Sequence, residues 1–465
     1  MISQPITNRS LVFQLLFLAA ILCTGIGLRA QEMPLLQVSA NKRFFQTSNG
    51  KPFFWLGDTG WLLFHKTTRK EAGHYLDVRK AQGFNVIQVM VIHSLQAKNI
   101  YGSYALNNSD LSQPVIANNT DTANYWNHIS FIIEEAAKRN IYLALVPVWG
   151  GDVRGNKISA EQATVYAKFL ADRFGKYNNI IWLNGGDTKG TDGAAIWQAI
   201  GTTLRKYDTR HLISFHPRGR YSSSEWFHEQ PWLDFNMFQS GHRTYAQDTS
   251  RSDKYHFGED NWRYIQQDYA LNPAKPTLDG EPSYENIPHG LHDSLQPRWN
   301  DADLRRYAYW SVFAGGAGFT YGENATMQFH KKGDADRNYG VTDAWTNTIY
   351  SKGATQLHYL KALLLSLPYF ERIPAQNIIA GEQGSRYDFL IATKGKHYAL
   401  VYTYSGKNFS IDTNELGFVL KKAQWFSPST GKRQKAVFQR NGNQLAFDPP
   451  GTPANGNDWV LIMAA

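Results

Sequence analysis

Residues 141–187 read IYLALVPVWGGDVRGNKISAEQATVYAKFLADRFGKYNNIIWLNGGD. The segment opens on an apolar run, Ile141 to Trp149, of the kind buried on both faces of a parallel sheet. Ser159 followed by Gln162 has the spacing of a capping box, so a helix starts there and runs to about Tyr177. A second apolar run, Ile180 to Leu183, follows, and it ends on the polar tip Asn184-Gly185-Gly186-Asp187. Strand, helix and strand in this order form one βαβ unit.

The same alternation extends in both directions. Phe53 to Leu56 is strand-like and ends at Gly57-Asp58; residues 69–82 read as a helix; Val86 to Ile92 is a β-branched buried strand. Asp121 or Thr122 caps a helix carrying Trp126, Ile129, Ile132, Ile133 and Ala136 at steps of three and four. Beyond the opening segment come a helix over 193–206, a strand over 212–215, a short helix over 223–229 and a strand over 235–238. A polar helical region then reaches about Tyr269. A seventh strand covers 276–278, Asp301 caps the next helix, an eighth strand covers 318–321, and a last helix covers 353–367. Eight such units in series predict a (β/α)8 TIM barrel. A doubly wound sheet would want a Gly-rich dinucleotide fingerprint after its first strand, and none is present. From about 376 the pattern changes to period two, as in Tyr387 to Ile391 and His397 to Tyr402, with turn signals between the runs. The expected organisation is a leader over 1–30, a catalytic barrel over 31–375 and an all-β sandwich over 376–465, an α/β fold class with a β appendage.

Composition bounds the possibilities. The chain has 465 residues, 42% hydrophobic and 19% charged, which describes a globular protein. Arg9, an apolar run from Leu11 to Leu22, and small residues leading to Ala30 before Gln31 have the layout of a secretory signal peptide, so the protein is expected to be exported to the periplasm, surface or medium. Its removal takes away Arg9, Arg29 and Cys23, the single cysteine; the charge falls from +9 to +7 and no cysteine remains for a disulfide or a zinc site. The basic residues are dispersed rather than gathered into a stripe, which argues against a nucleic-acid partner. No stretch of the mature chain is apolar enough to span a bilayer.

Barrel enzymes carry reacting groups at the C-terminal ends of their strands. In chain order those positions hold Asp58, His93, Trp149 and Asp152, Asn184 and Asp187, His216, Gln239 and His242, Asp279 and Glu281, and Glu323. Trp61, Trp149, Tyr284 and Tyr321 lie beside them. Asp and Asn in loops are commonly caps, but their concentration on one rim among aromatics suits glycosidic bond cleavage. That reaction needs one carboxylic acid to protonate the leaving oxygen and a carboxylate opposite it to attack the sugar or activate water. Strands four and seven sit on opposite sides of an eight-strand barrel, with room for the reacting bond between them, so Asp187 and Glu281 are the best-placed catalytic pair. Asp58, Trp61, His93, Trp149, Asn184, His216, Gln239, His242 and Tyr284 are the expected substrate-binding residues, with aromatic faces under the rings and polar side chains on the hydroxyls.

Other chemistries lack their signatures: there is no HExxH, P-loop or Gly-x-Ser-x-Gly elbow. Asp334-Ala335-Asp336-Arg337-Asn338 resembles the start of a calcium loop, but its glycine falls one place late and Trp345 stands where the closing Glu belongs, so it reads as a polar loop. His93, His216 and His242 read as sugar hydrogen-bonders rather than a metal trio. No metal and no cofactor are expected.

Four segments together resemble the apiosidase-like glycoside hydrolases: Lys51 to Trp61 (KPFFWLGDTGW), Gly83 to Gln88 (GFNVIQ), Trp182 to Asp187 (WLNGGD) and Asp279 to Glu285 (DGEPSYE). Trp425 to Gly431 (WFSPSTG) resembles the small β domain usually found behind that barrel, which has carried a collagen-binding label. The resemblance implies a bacterial hydrolase of plant pectin that cleaves bonds to apiose in rhamnogalacturonan-II side chains, acting on an oligo- or polysaccharide. It assigns Asp187 as general acid/base and Glu281 as nucleophile of a retaining reaction. The chain departs from the larger barrel glycosidases at strand four, where they carry Asn-Glu and this chain has a Gly pair and an Asp after Asn184. A glycosidase for another glycan, and a non-catalytic carbohydrate- or collagen-binding protein, are the competing readings.

Overall fold

The computed structural model describes residue 1, residues 33–249 and residues 257–465. The expected leader and part of the polar region before Tyr269 lie outside the described residues. Eight parallel strands build the barrel: β1 (Trp55–Thr59), β2 (Val86–Met90), β3 (Tyr142–Val146), β4 (Ile180–Thr188), β5 (Ile213–Pro217), β6 (Asn236–Gln239), β7 (Thr277–Glu281) and β8 (Gly318–Tyr321). The helices α1 (Arg69–Ala81), α2 (Tyr125–Lys138), α3 (Ala160–Phe174), α4 (Ala194–Tyr207), α5 (Ser224–Phe227), α6 (Asn261–Tyr269), α7 (Asp301–Phe313) and α8 (His358–Leu365) follow the strands in turn.

The sheet runs β5-β4-β3-β2-β1-β8-β7-β6, with Tyr221–Ser222 added antiparallel to β6. Last strand therefore meets first strand, with Gly318 opposite Trp55 through Tyr321 opposite Asp58. The seam between β5 and β6 carries no ladder. It is bridged by Asp234 N donating to Ile213 O at 2.8 Å and Ser214 Oγ donating to Phe235 O at 2.6 Å. A three-stranded N-terminal sheet brings Phe45 against Trp55 and Phe235, at the N-terminal ends of β1 and β6.

The barrel strands are buried almost throughout, which is why they read as continuous apolar runs. Local chemistry sets the helix ends. The Ser159–Gln162 box opens α3 as expected. At α2 the cap is Asn124, whose side chain accepts from Trp126 N and Asn127 N, while Asp121 supports the preceding turn. At α7 the cap is Asn300, and Asp301 is already helical. The last predicted helix is two pieces, Lys352–Gln356 and α8. β4 runs five residues past Leu183 because it resumes pairing after a bulge: Gly185 faces His216, and the next partner pair is Thr188 and Pro217.

The C-terminal portion is two antiparallel sheets of six and four strands, beginning at Ile373–Pro374. Trp425, Phe447, Ile411 and Leu461 fill the space between them. This sandwich docks on α6 and α7. Arg305 grips Asp458 with both ends of its guanidinium fork (2.8 and 2.9 Å), and both residues are buried. Tyr309 stacks on Tyr402 and Trp262 on Phe389, at 4.8 and 4.1 Å between centroids.

Candidate active site

A cavity of about 510 Å³ opens at the C-terminal ends of the strands and holds both Asp187 and Glu281. That volume accommodates a few sugar rings or part of a longer chain. The bulge in β4 brings Asp187 into it. Asn184 faces α4, donating to Trp197 O at 2.8 Å. Gly185 and Gly186 then adopt φ of +91° and +119°, and Asp187 itself sits at +50°, a left-handed region that Asp tolerates better than most residues. A side chain at Gly186 would meet the Trp149 ring at 2.7 Å, and one at Gly185 would meet His216 O at 2.5 Å. The glycine pair is thus the device that swings the carboxyl inward.

Glu281 ends β7. From across the barrel, Gln88 donates to Gly280 O at 2.8 Å and pins the strand just before it. Two imidazoles hold the carboxylate: His242 Nε2 is 3.1 Å from Oε1, and His216 Nε2 is 3.2 Å from Oε2, a close contact without full hydrogen-bond geometry. Trp61, Trp149 and His216 pack mutually at 5.2–6.1 Å between centroids, and His242 meets Tyr284 edge-on at 4.8 Å.

The surroundings push the two carboxyls apart in acidity. Asp187 is raised to about 6, first by loss of water on burial and then by the negative charge of Glu281. Burial would raise Glu281 as well, but the approaches of His216 and His242 more than offset it and hold the group at about 2. Between those values one carboxyl carries a proton and its neighbour does not, the division of labour that glycosidic cleavage needs.

Six of the nine expected substrate-binding residues line this cavity: Trp61, His93, Trp149, Gln239, His242 and Tyr284. Gln239 Oε1 is buried there with no partner among the described residues. The other three do not. Asp58 points outward to α1, where it pairs with Arg79 at 2.6 Å and accepts from Tyr75 OH; strand alternation put it on the helix side of β1. Asn184 faces α4 for the same reason. His216 is fully buried beneath Trp61 and Trp149 and touches Glu281, so it positions the carboxylate. The remaining acids of the rim are structural: Asp152 accepts from Leu95 N, Asp279 from Ser240 and Asn261, and Glu323 from Thr326 N.

Sequence reasoning missed His65, Lys66, Lys98 and Tyr339, which also line the cavity, together with Asp336 and Asn338 of the polar loop. His65 and Lys66 lie on a short helix just beyond Trp61, the one signal available. Lys66 pairs with Asp334 and Asp336 at 3.2 and 2.9 Å, drawing that loop over the site. Among the described residues, no group of three His, Cys, Asp or Glu side chains could hold a metal ion, and no helix is long and apolar enough to cross a membrane.

The family model described as "Apiosidase-like, catalytic domain" matches residues 39–371, and one described as "Putative collagen-binding domain of a collagenase" matches 373–464. No curated protein matches the chain. A solved glycoside hydrolase is similar at 43% identity and a TM-score of 0.88, over 93% of this chain and 97% of that one. A glycoside hydrolase family 5 structure from Bacteroides vulgatus ATCC 8482 is similar at 42% identity and 0.88, over 92% and 93%. A further glycoside hydrolase structure from the same organism shares the fold at 15% identity and a TM-score of 0.61.

Proposed function

Because the chain belongs to the apiosidase-like family of glycoside hydrolases, we propose that it hydrolyses bonds to apiose in the rhamnogalacturonan-II side chains of pectin, by a retaining mechanism, outside the cytoplasm. The observation that supports the chemistry is one cavity holding two carboxyls of opposite poise, Asp187 near 6 and Glu281 near 2. In the first step the protonated Asp187 donates to the leaving glycosidic oxygen while the Glu281 carboxylate attacks the anomeric carbon and forms a glycosyl ester. In the second, Asp187, now ionised, takes a proton from water, which attacks the same carbon and frees Glu281. Trp61, Trp149 and Tyr284 supply ring-stacking faces, and Gln239 Oε1 accepts from a sugar hydroxyl. The family and the pattern of residues 1–30 support the substrate and the export.

The test incubates the enzyme with rhamnogalacturonan-II and a panel of other plant glycans and identifies the released sugar. Release of apiose with retained anomeric configuration, seen by proton NMR of the first product, is expected. Release of a different sugar overturns the substrate, and an inverted anomer overturns the role of Glu281. Asp187→Asn and Glu281→Gln are each expected to abolish turnover; full activity in either sinks the mechanism.

A further inference from the structure

The C-terminal sandwich reaches further than the barrel flank. Tyr387, in the short 3-10 turn Arg386–Asp388 of that domain, donates through its hydroxyl to Glu259 Oε1 at 3.2 Å. The same oxygen accepts the backbone N–H of Tyr245 at 2.6 Å. Glu259 is fully buried and paired through its other oxygen with the equally buried Arg306, at 2.6 Å. The Tyr387 ring packs against the Tyr245 ring at 5.4 Å, and the guanidinium of Arg386 lies over that ring at 5.3 Å. Tyr245 stands three residues beyond His242, in the loop leaving β6. On its other side that loop is tied down by Gly290 N donating to His242 O at 2.9 Å. Contacts therefore run from the appended domain to Tyr245, and three residues of chain lead from there to the histidine that touches Glu281.

From this geometry we infer that the C-terminal domain is a working part of the active site: Tyr387 and Arg386 are positioning residues that clamp the loop after β6 and aim His242 at Glu281. The inference rests on the reading of Glu281 as the nucleophile. A buried carboxylate held by two imidazoles loses one of them if that loop drifts, since backbone errors of an ångström propagate directly into such contacts. The groups facing Glu281 are His216, His242, Asp187, Tyr284 and Tyr339. Of these, only His242 lies on the clamped loop, so its displacement has a distinct signature.

The experiment compares wild type, Tyr387→Phe, Tyr387→Phe with Arg386→Ala, and Tyr402→Phe. Tyr402 belongs to the same interface and contacts Asp458 at 3.3 Å, away from the loop. Kinetics use whichever glycan of the panel the wild type cleaves; hydrogen exchange of residues 241–249 is read without substrate. The clamp variants should exchange faster there, lose about fivefold or more in kcat at nearly constant KM, and move the acid limb of kcat/KM to higher pH. Tyr402→Phe should change none of these. Faster exchange with unchanged kcat and acid limb overturns the inference, as does unchanged exchange in the double variant. Activity surviving in Glu281→Gln would instead overturn the reading it rests on.

Discussion

The Nε2 atom of His216 lies 3.2 Å from Glu281 Oε2, beneath the Trp61 and Trp149 rings. The imidazole is fully buried and outside the cavity lining, so its effect on substrate passes through the carboxylate. Without His216, burial is less well opposed and Glu281 holds its proton to higher pH. His216→Asn should therefore bring the acid limb of kcat/KM up by about one pH unit or more, with KM little changed. A limb that stays in place would show that His216 does not hold Glu281.

Asp187 must be protonated in the first step, so kcat/KM should fall as pH rises through about 6. The charge on Glu281 contributes to that raised value. Glu281→Gln removes it, and the Asp187 carboxyl should then titrate at lower pH, as followed by carbon NMR. An unchanged titration would mean that the two groups are not in electrostatic contact.

Gly186 is the hinge that delivers Asp187. Its φ of +119° disfavours any side chain, and a methyl group there would stand 2.7 Å from Trp149. Gly186→Ala should lower kcat about 10- to 100-fold through misplacement of the acid, with the fold retained by circular dichroism. Near-normal turnover would show that the bulge does not control Asp187.

Asp58 was expected at the substrate and instead sits in a buried pair with Arg79. Arg79→Ala leaves its charge without a partner and should cost about 3–5 kcal/mol of stability, read by denaturant unfolding. KM of the folded fraction should not change. The reverse pattern, a raised KM at full stability, would return Asp58 to the binding site.

Local sequence determined much of this molecule. Apolar runs alternating with capped amphipathic stretches specify strands and helices through contacts a few residues apart, so the eight units, the Ser159 box and the switch to period two after the barrel are legible without coordinates. The residue types past each strand likewise mark Asp187 and Glu281 as rim carboxylates. Tertiary structure alone decided which way the side chains face. Asp58 and Asn184 follow the strand's alternation outward, whereas two left-handed glycines break that alternation and turn Asp187 in, an outcome that depends on pairing with β5 and on the Trp149 ring across the gap. His65, Lys66 and Tyr339 reach the cavity from the loops after β1 and β8, far apart in the chain but adjacent once β8 pairs with β1. Ring closure is a contact between the two ends of the barrel, and no window of sequence contains both.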